Sequence, residues 1–303
     1  MTSIVKQLTE KELITPPRWM PDNIQLEIIM GSMAYGVNSD DSDWDVYGFA
    51  IPPKEMIFPH LQGYIPGFGT KPQSFEQYQQ HHDHDPDAHG GDGQEYDLTI
   101  FGIVKYFQLC MECNPNMIDS LFVAQELILH STQVGQMVRE NRRLFLHKGA
   151  WHRFKGYAYS QMKKIRAKDP CGKRLDAVRK YGFDVKFAYH LVRLMSEIEQ
   201  ILVEGDLDLM RNREQLKAIR SGEWTEQQVR EYFETKERDL ESVYLKSELP
   251  KYPDEKRIRQ LLINCLEHHY GNLDRCVIDP DAATQAIADI RIAIERYDRI
   301  YHH

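Results

Sequence analysis

The sequence predicts an α+β protein in which a small mixed β-sheet domain, residues 1–130, is followed by an α-helical domain, residues 131–303. Two observations carry this. Near the N-terminus two short apolar runs, Ile24–Met30 and Trp44–Ile51, flank a polar corner opened by a glycine, as two buried strands would. From Gln133 onward the apolar residues recur with the period of helices.

Residues 1–21 read as an N-terminal helix opening at Thr9-Glu10-Lys11-Glu12, then a linker through Pro16 and Pro17. Ile24, Leu26, Ile28, Ile29 and Met30, bounded by Pro21 and Gly31, have the length and branching of a buried strand. A helix starting at Met33 is expected next, then a turn over Asn38–Ser42, whose side chains bond their own backbone. Trp44–Ile51 is the second strand and closes at Pro52-Pro53. After irregular chain from Pro52 to Gly69, the segment His81–Gly93 (HHDHDPDAHGGDG) reads as a polar, structureless insertion. Its His81, His82, His84 and His89 could take a transition ion adventitiously. Gln94–Thr99 is strand-like and leads into a helical pattern of Ile100, Ile103, Val104, Phe107 and Leu109. Asn114-Pro115-Asn116 stops that helix, and Met117–Leu129 forms the next element.

The second half reads as helices over Gln133–His147 and Trp151–Ala167, broken at Asp169-Pro170 and Gly172. A helix from Asp184 to the break at Glu204-Gly205-Asp206 is apolar at nearly every position except Lys186, His190, Arg193 and Glu197, which fall on one stripe. Uncompensated buried charge is costly, so the stripe either faces solvent or lines a cleft, with Lys186 reaching phosphates and His190 nearby. Further helices are expected over Leu216–Ile219, Thr225–Leu245, Glu255–Tyr270 and Ala282–Tyr297, with no functional motif beyond Gly205.

With 42% hydrophobic and 28% charged residues, the 303-residue chain has the composition of a packed protein. Five scattered cysteines fit reduced thiols in a cytoplasm. Cys110 and Cys113 fall on one helix face, and no second pair completes a zinc site. No window reaches the roughly 18 apolar residues of a membrane helix, and Met1–Glu10 has no signal-peptide core, so a cytoplasmic protein without a membrane partner is expected. Charge is unevenly spread: residues 148–193 hold thirteen Lys and Arg against three acids, in a chain of net charge −8. Such a block suits an anionic partner, a nucleoside triphosphate or an RNA backbone, or is simply a solvated face.

The chemistry concentrates around the polar corner. Asp43 and Asp45, two apart on an extended strand, present both carboxylates to one face while Trp44 and Val46 take the other. Like charges about 4 Å apart repel by roughly 4 kcal/mol at an effective dielectric near 20, so the pair calls for a cation or a shared proton. Mg²⁺ suits it, taking one or two carboxylates, water and substrate phosphates. Gly31 lets backbone N–H groups approach a phosphate closely, and the Ser32 hydroxyl can donate to it. Turn chemistry accounts for Asn38–Ser42, but aspartate is depleted inside strands and needs a reason to recur there.

The stretch GSMAYGVNSDDSDWD resembles the signature of the DNA polymerase β-type nucleotidyltransferases, Gly-Ser followed by Asp-x-Asp on a strand. Gly-Ser-x-Ala-Tyr-Gly with Ser42, Asp43, Asp45 and Gly48 is similar to a group that includes RNA-ligase-associated, RNA-repair members. The likeness continues through YDLTIFGIVKYFQL, NPN and KYGFDVKFAYHLVRL, spanning about Ile24 to Gly205. It implies a polymerase β-like palm with a helical domain completing the cleft. It also implies transfer of a nucleoside monophosphate from an NTP to a hydroxyl; relatives modify nucleic-acid 3′ ends, small molecules or protein hydroxyls, and the basic block with the RNA-repair likeness favours an RNA end. Two Mg²⁺ ions, or Mn²⁺, would be held by Asp43, Asp45 and a third carboxylate that matches Asp97. The other readings of Asp97 are a helix N-cap, which Thr99 would serve better, or a neighbour of Glu95 as the true ligand. A catalytically idle nucleotide or RNA sensor is the alternative function.

Overall fold

The computed structural model describes residues 2–38, 42–67, 69–70, 74–166 and 173–271, with positions 287, 290, 291 and 294. Met1–Leu262 form one compact unit and Ile263–His303 a second. The expected helix over Ala282–Tyr297 lies outside the described residues except at those four positions, which are helical. The expected break at Asp169-Pro170 lies outside them too.

A five-stranded mixed sheet forms the first part of the larger unit. Its strands are β1 (Ile24–Ile29), β2 (Trp44–Ala50), β3 (Gln77–Asp85), β4 (Gln94–Gly102) and β5 (Ile128–Ser131), in the spatial order β3-β4-β2-β1-β5. β2 and β4 run parallel and every other pair antiparallel. One face, with Val46, Tyr96, Leu98 and Ile100, packs against Val5 and Leu8 of α1 (Ile4–Glu10). The N-terminal helix thus ends at Thr9-Glu10 instead of opening there. Its first N–H groups need acceptors, and the buried Glu27 carboxylate on β1 receives Ile4 N at 2.7 Å, Val5 N at 3.0 Å and Ser3 Oγ at 2.7 Å.

Four further expectations change. His81–Asp85 is strand, not insertion: β3 is the sheet edge, and an edge strand with mostly exposed side chains needs hydrogen bonds but little apolar content. Ile100–Gly102 continues β4, and α4 (Ile103–Met111) starts only afterwards, because a short run buried on both faces has no period to separate strand from helix. Asn114 caps and Pro115 opens α5 (Pro115–Phe122), so Asn-Pro-Asn begins a helix as well as ending one. Cys113 lies past α4 with φ +50°, so it does not share a helix face with Cys110.

The remaining elements are the one-turn α2 (Gly31–Ala34) and α3 (Lys54–Ile57), then α6 (Gln133–Glu140), α7 (Ala150–Lys164), α8 (Lys173–Tyr181), α9 (Val185–Glu204), α10 (Arg213–Arg220), α11 (Glu226–Lys246) and α12 (Glu255–Tyr270). α9 is buried along most of its length and packs against α7, α10 and α11. Asp184 caps its start by accepting from the N–H groups of Lys186 and Phe187, and Gly205 ends it in the left-handed conformation. Among the described residues no helix is long and apolar enough to cross a membrane.

Candidate active site

The corner after β1 is built around one carboxylate. The Met30 N–H donates to the Asp45 carbonyl at 2.7 Å, holding the end of β1 on the start of β2. Gly31 follows at φ +64°, and a Cβ there would stand 1.8 Å from Asp45 Oδ2. Glycine is therefore required both by the backbone and by the space the Asp45 side chain occupies. The helix expected from Met33 is the single turn α2, two residues earlier. Ser32 lies on it, its Oγ 3.4 Å from Ser42 Oγ.

Parallel pairing of β2 and β4 sets Asp45 opposite Asp97 and Tyr47 opposite Thr99, while Val46 and Leu98 turn to the core beneath α1. Thr99 lies inside β4, so it caps no helix. Asp43 precedes β2 and is exposed. A cavity of about 560 Å³ is lined by all three aspartates and by Gly31, Ser32, Lys186 and His190. The candidate carboxylates and the candidate phosphate-contacting residues thus line one space. Glu95, the alternative to Asp97, is turned to His82 instead, with His82 Nδ1 2.5 Å from Glu95 Oε1.

The facing wall comes from the helices. Lys186, Tyr189, His190 and Arg193 of α9 line it, joined by Arg174 of α8 and Arg220 of α10. Nothing in the sequence marks Arg220, which lies beyond the last expected motif. Its Nη1 donates to the Val37 carbonyl at 2.5 Å, and its guanidinium lies 5.3 Å from the Tyr189 ring centre, so it ties the chain after α2 to α9. Arg174 is held by Asp184 at 2.7 Å.

Beneath this wall the polar stripe goes underground. Arg193 bonds Asp119 of α5 through Nη1, and the same nitrogen reaches both Glu197 oxygens at 3.0 and 3.1 Å. Tyr35 donates to Asp119 at 2.8 Å, and the Arg193 guanidinium lies 4.1 Å from its ring centre. Asp119, Arg193 and Glu197 are all buried. The stripe is therefore divided: Lys186, His190 and Arg193 reach the cavity, and Glu197 serves Arg193. Asp119 carried no readable signal because its partner is 74 residues away.

A family profile for the RNA repair pathway DNA polymerase beta family, RlaP, matches residues 5–269. The chain belongs to that family. As a member it is a DNA polymerase β-like nucleotidyltransferase homologue, and its mixed sheet with appended helices is the α+β architecture expected. No curated protein matches it. Among solved structures, a nucleotidyltransferase-like protein from Exiguobacterium sibiricum 255-15 is 12% identical, with a TM-score of 0.28, over 87% of this chain and 73% of that one.

The electrostatics of this family member bear on whether a cation fits. Burial pushes the Asp45 carboxyl above its ordinary value, and Asp97 and Asp43 push it the same way while Lys186 and His81 offset part of the effect. A partly buried carboxylate destabilised by its own neighbours is the donor set that a hard divalent cation relieves. Among the described residues, no group of three or more His, Cys, Asp or Glu is already gathered as a metal cage. The pair Asp45 and Asp97 thus suits an ion that completes its shell with water and phosphate oxygens, the habit of Mg²⁺. His190 is held well below the ordinary histidine value, by burial first and then by Arg193, Lys186 and Arg220. Its ring is uncharged at neutral pH.

Proposed function

We propose that this protein transfers a nucleoside monophosphate from an NTP to a hydroxyl on an RNA end, releasing pyrophosphate. The observation that carries the reading is the register of β2 and β4, which sets Asp45 beside Asp97 in a cavity shared with Gly31, Ser32 and Lys186. Asp43, Asp45 and Asp97 would hold two Mg²⁺ ions, whose part when bound is to neutralise charge on the reacting phosphates. Ser32 and the backbone at Gly31 would bond the β and γ phosphates, with Lys186 and the neutral His190 closing on them from α9. Asp97 would accept the proton of the attacking hydroxyl. That oxygen forms its bond to the α phosphorus in line with the leaving group, and the bond to pyrophosphate breaks. On this reading, residues 1–130 carry the carboxylates, and α8, α9 and α10 of the helical part that follows complete the cleft.

The RNA side of the proposal rests on part of the basic block only. Arg153, Lys155 and Arg166 are spent on Glu112, Glu237 and Glu226 at 3.4, 3.6 and 2.8 Å. Lys164 and Lys180 instead lie 5.5 and 4.8 Å from the ring centres of Phe187 and Tyr181. Tyr181 lines the cavity. A rim of lysines over aromatic rings suits a single-stranded end, which is gripped by phosphate charge and base stacking. The test is incubation with Mg²⁺, short RNAs bearing 3′ hydroxyls, and NTPs labelled at the α or the γ phosphate. The α label is expected on RNA and the γ label in pyrophosphate. Cleavage between β and γ, or tight binding without turnover across the RNA panel, would overturn the proposal.

A further inference from the structure

The histidines of β3 are not absorbed by the site as described so far. The pairing of β3 with β4 slips between Gln80 and Asp83: Gln80 faces Leu98, Asp83 faces Tyr96, and both His81 and His82 stand opposite Asp97. Two residues against one is a β-bulge, a device that breaks the ladder locally and re-aims what the strand carries. His82 sits at φ +61°, a left-handed conformation that a non-glycine residue adopts only when its surroundings impose it. In a regular antiparallel ladder the N–H groups point to backbone carbonyls across the gap. Here the bulge frees one, and the His82 N–H donates to Asp97 Oδ1 at 2.9 Å. Nδ1 of His81 lies 3.5 Å from the same oxygen. The ring of His82 is occupied elsewhere, on Glu95.

The bulge, the strained residue and both contacts therefore bear on one oxygen of one carboxylate. A polar edge strand exposing its histidines would explain His84, which faces Glu95 in regular pairing. It does not explain why the irregularity falls opposite Asp97.

We propose that His81 and the backbone N–H of His82 are positioning groups for nucleotidyl transfer: they occupy Oδ1 of Asp97 and so commit Oδ2 to the cation and the attacking hydroxyl. This rests on the nucleotidyl-transfer reading given above. Carboxylates that ligate cations are themselves held by an outer layer of hydrogen bonds, and losing one such partner lowers metal affinity or activity about 10- to 100-fold. The geometry requires no charge on His81, only that Nδ1 carry the ring hydrogen and turn it to Oδ1.

The experiment measures binding of Mn²⁺ alone by electron paramagnetic resonance, together with kcat and KM for ATP on a 3′-hydroxyl RNA. His81→Ala is expected to weaken Mn²⁺ binding and lower kcat, each about tenfold, with KM for ATP within about twofold of wild type. His81→Asn, whose amide nitrogen stands in for Nδ1, is expected to recover most of both. Unchanged Mn²⁺ affinity and kcat in His81→Ala, or an Asn variant no better than Ala, would overturn the role of His81. Asp97→Asn distinguishes the two levels: if it abolishes transfer while His81→Ala does nothing, only the positioning role fails. Full activity in Asp97→Asn removes the nucleotidyl-transfer reading itself.

Discussion

Asp119 and Glu197 share Arg193 in the interior, whereas Asp45 and Asp97 share a cavity wall, where Lys186 and His81 only partly offset what burial and like charge do to Asp45. The first cluster finds its cation, and a tyrosine hydroxyl, within the protein. Its members come from α2's end, α5 and α9, so it joins the sheet's phosphate corner to the helical wall. The second is left short of positive charge while facing a space large enough for a nucleotide. Burial raises the carboxyls of Asp119, Glu197 and Asp45 alike, but only the first two have an arginine bonded to them. Acid clusters of similar composition thus differ in setting, one bonded across two parts of the fold and the other set on a cavity wall.

Breaking each cluster should therefore register in a different measurement. The largest effect is expected from Arg193→Met. It leaves two buried carboxyls without their cation, and breaking a buried ion pair in this way costs about 3–5 kcal/mol. Chemical denaturation should report that loss, with activity falling only as the fold does or as α9 shifts. A stable Arg193→Met variant would mean that the cluster holds nothing together.

Asp45→Asn should show the reverse pattern. It removes a carboxylate that burial and two like charges destabilise, so stability should hold or rise. Transfer of α-labelled phosphate should fall at least about a hundredfold, equivalent to roughly 2.7 kcal/mol of transition-state stabilisation. A smaller step in the same cavity is Lys186→Ala. Lys186 is exposed, so its removal should leave the fold intact and raise KM for NTP about tenfold, near 1.4 kcal/mol. An unchanged KM would take Lys186 out of the phosphate site.

The same contrast explains what the sequence could and could not disclose. Gly31, Ser32, Asp43 and Asp45 are local: strand, corner and strand are contiguous, so composition and alternation were enough to expect their convergence. Lys186, His190 and Arg193 were legible as a stripe because helix α9 is otherwise apolar. Asp119 and Arg220 were not, since each acts across a long separation, 74 residues to Arg193 and 183 to Val37, and neither sits in a pattern that demands a partner. The β3 strand was misread for a related reason. Its His and Asp side chains are held by ladder hydrogen bonds at an edge, and hydrogen bonding leaves no hydropathy signature. Expecting Thr9-Glu10-Lys11-Glu12 to open a helix failed because the helix is capped earlier, by Ser3, with Glu27 of β1 taking the next two N–H groups.

The smallest expected effect concerns a buried titratable group with neither cluster's role. His147 donates from Nε2 to the Met111 carbonyl at 2.9 Å and accepts from the Gly149 N–H at Nδ1, 3.1 Å, which satisfies the neutral ring at both nitrogens. Burial holds it below the ordinary histidine value of 6.5. The unfolded chain therefore takes up this proton first as pH falls. Stability from His147 is fully present above about 6.5 and is lost as pH drops from there through the lower folded value, at up to about 1.4 kcal/mol per pH unit. His147→Gln keeps an amide donor for Met111 but cannot titrate. Between pH 7 and 5 the melting temperature of wild type should thus fall more steeply than that of the variant, and equal slopes would mean that the ring is protonated in the folded chain, against the donor and acceptor pattern that surrounds it.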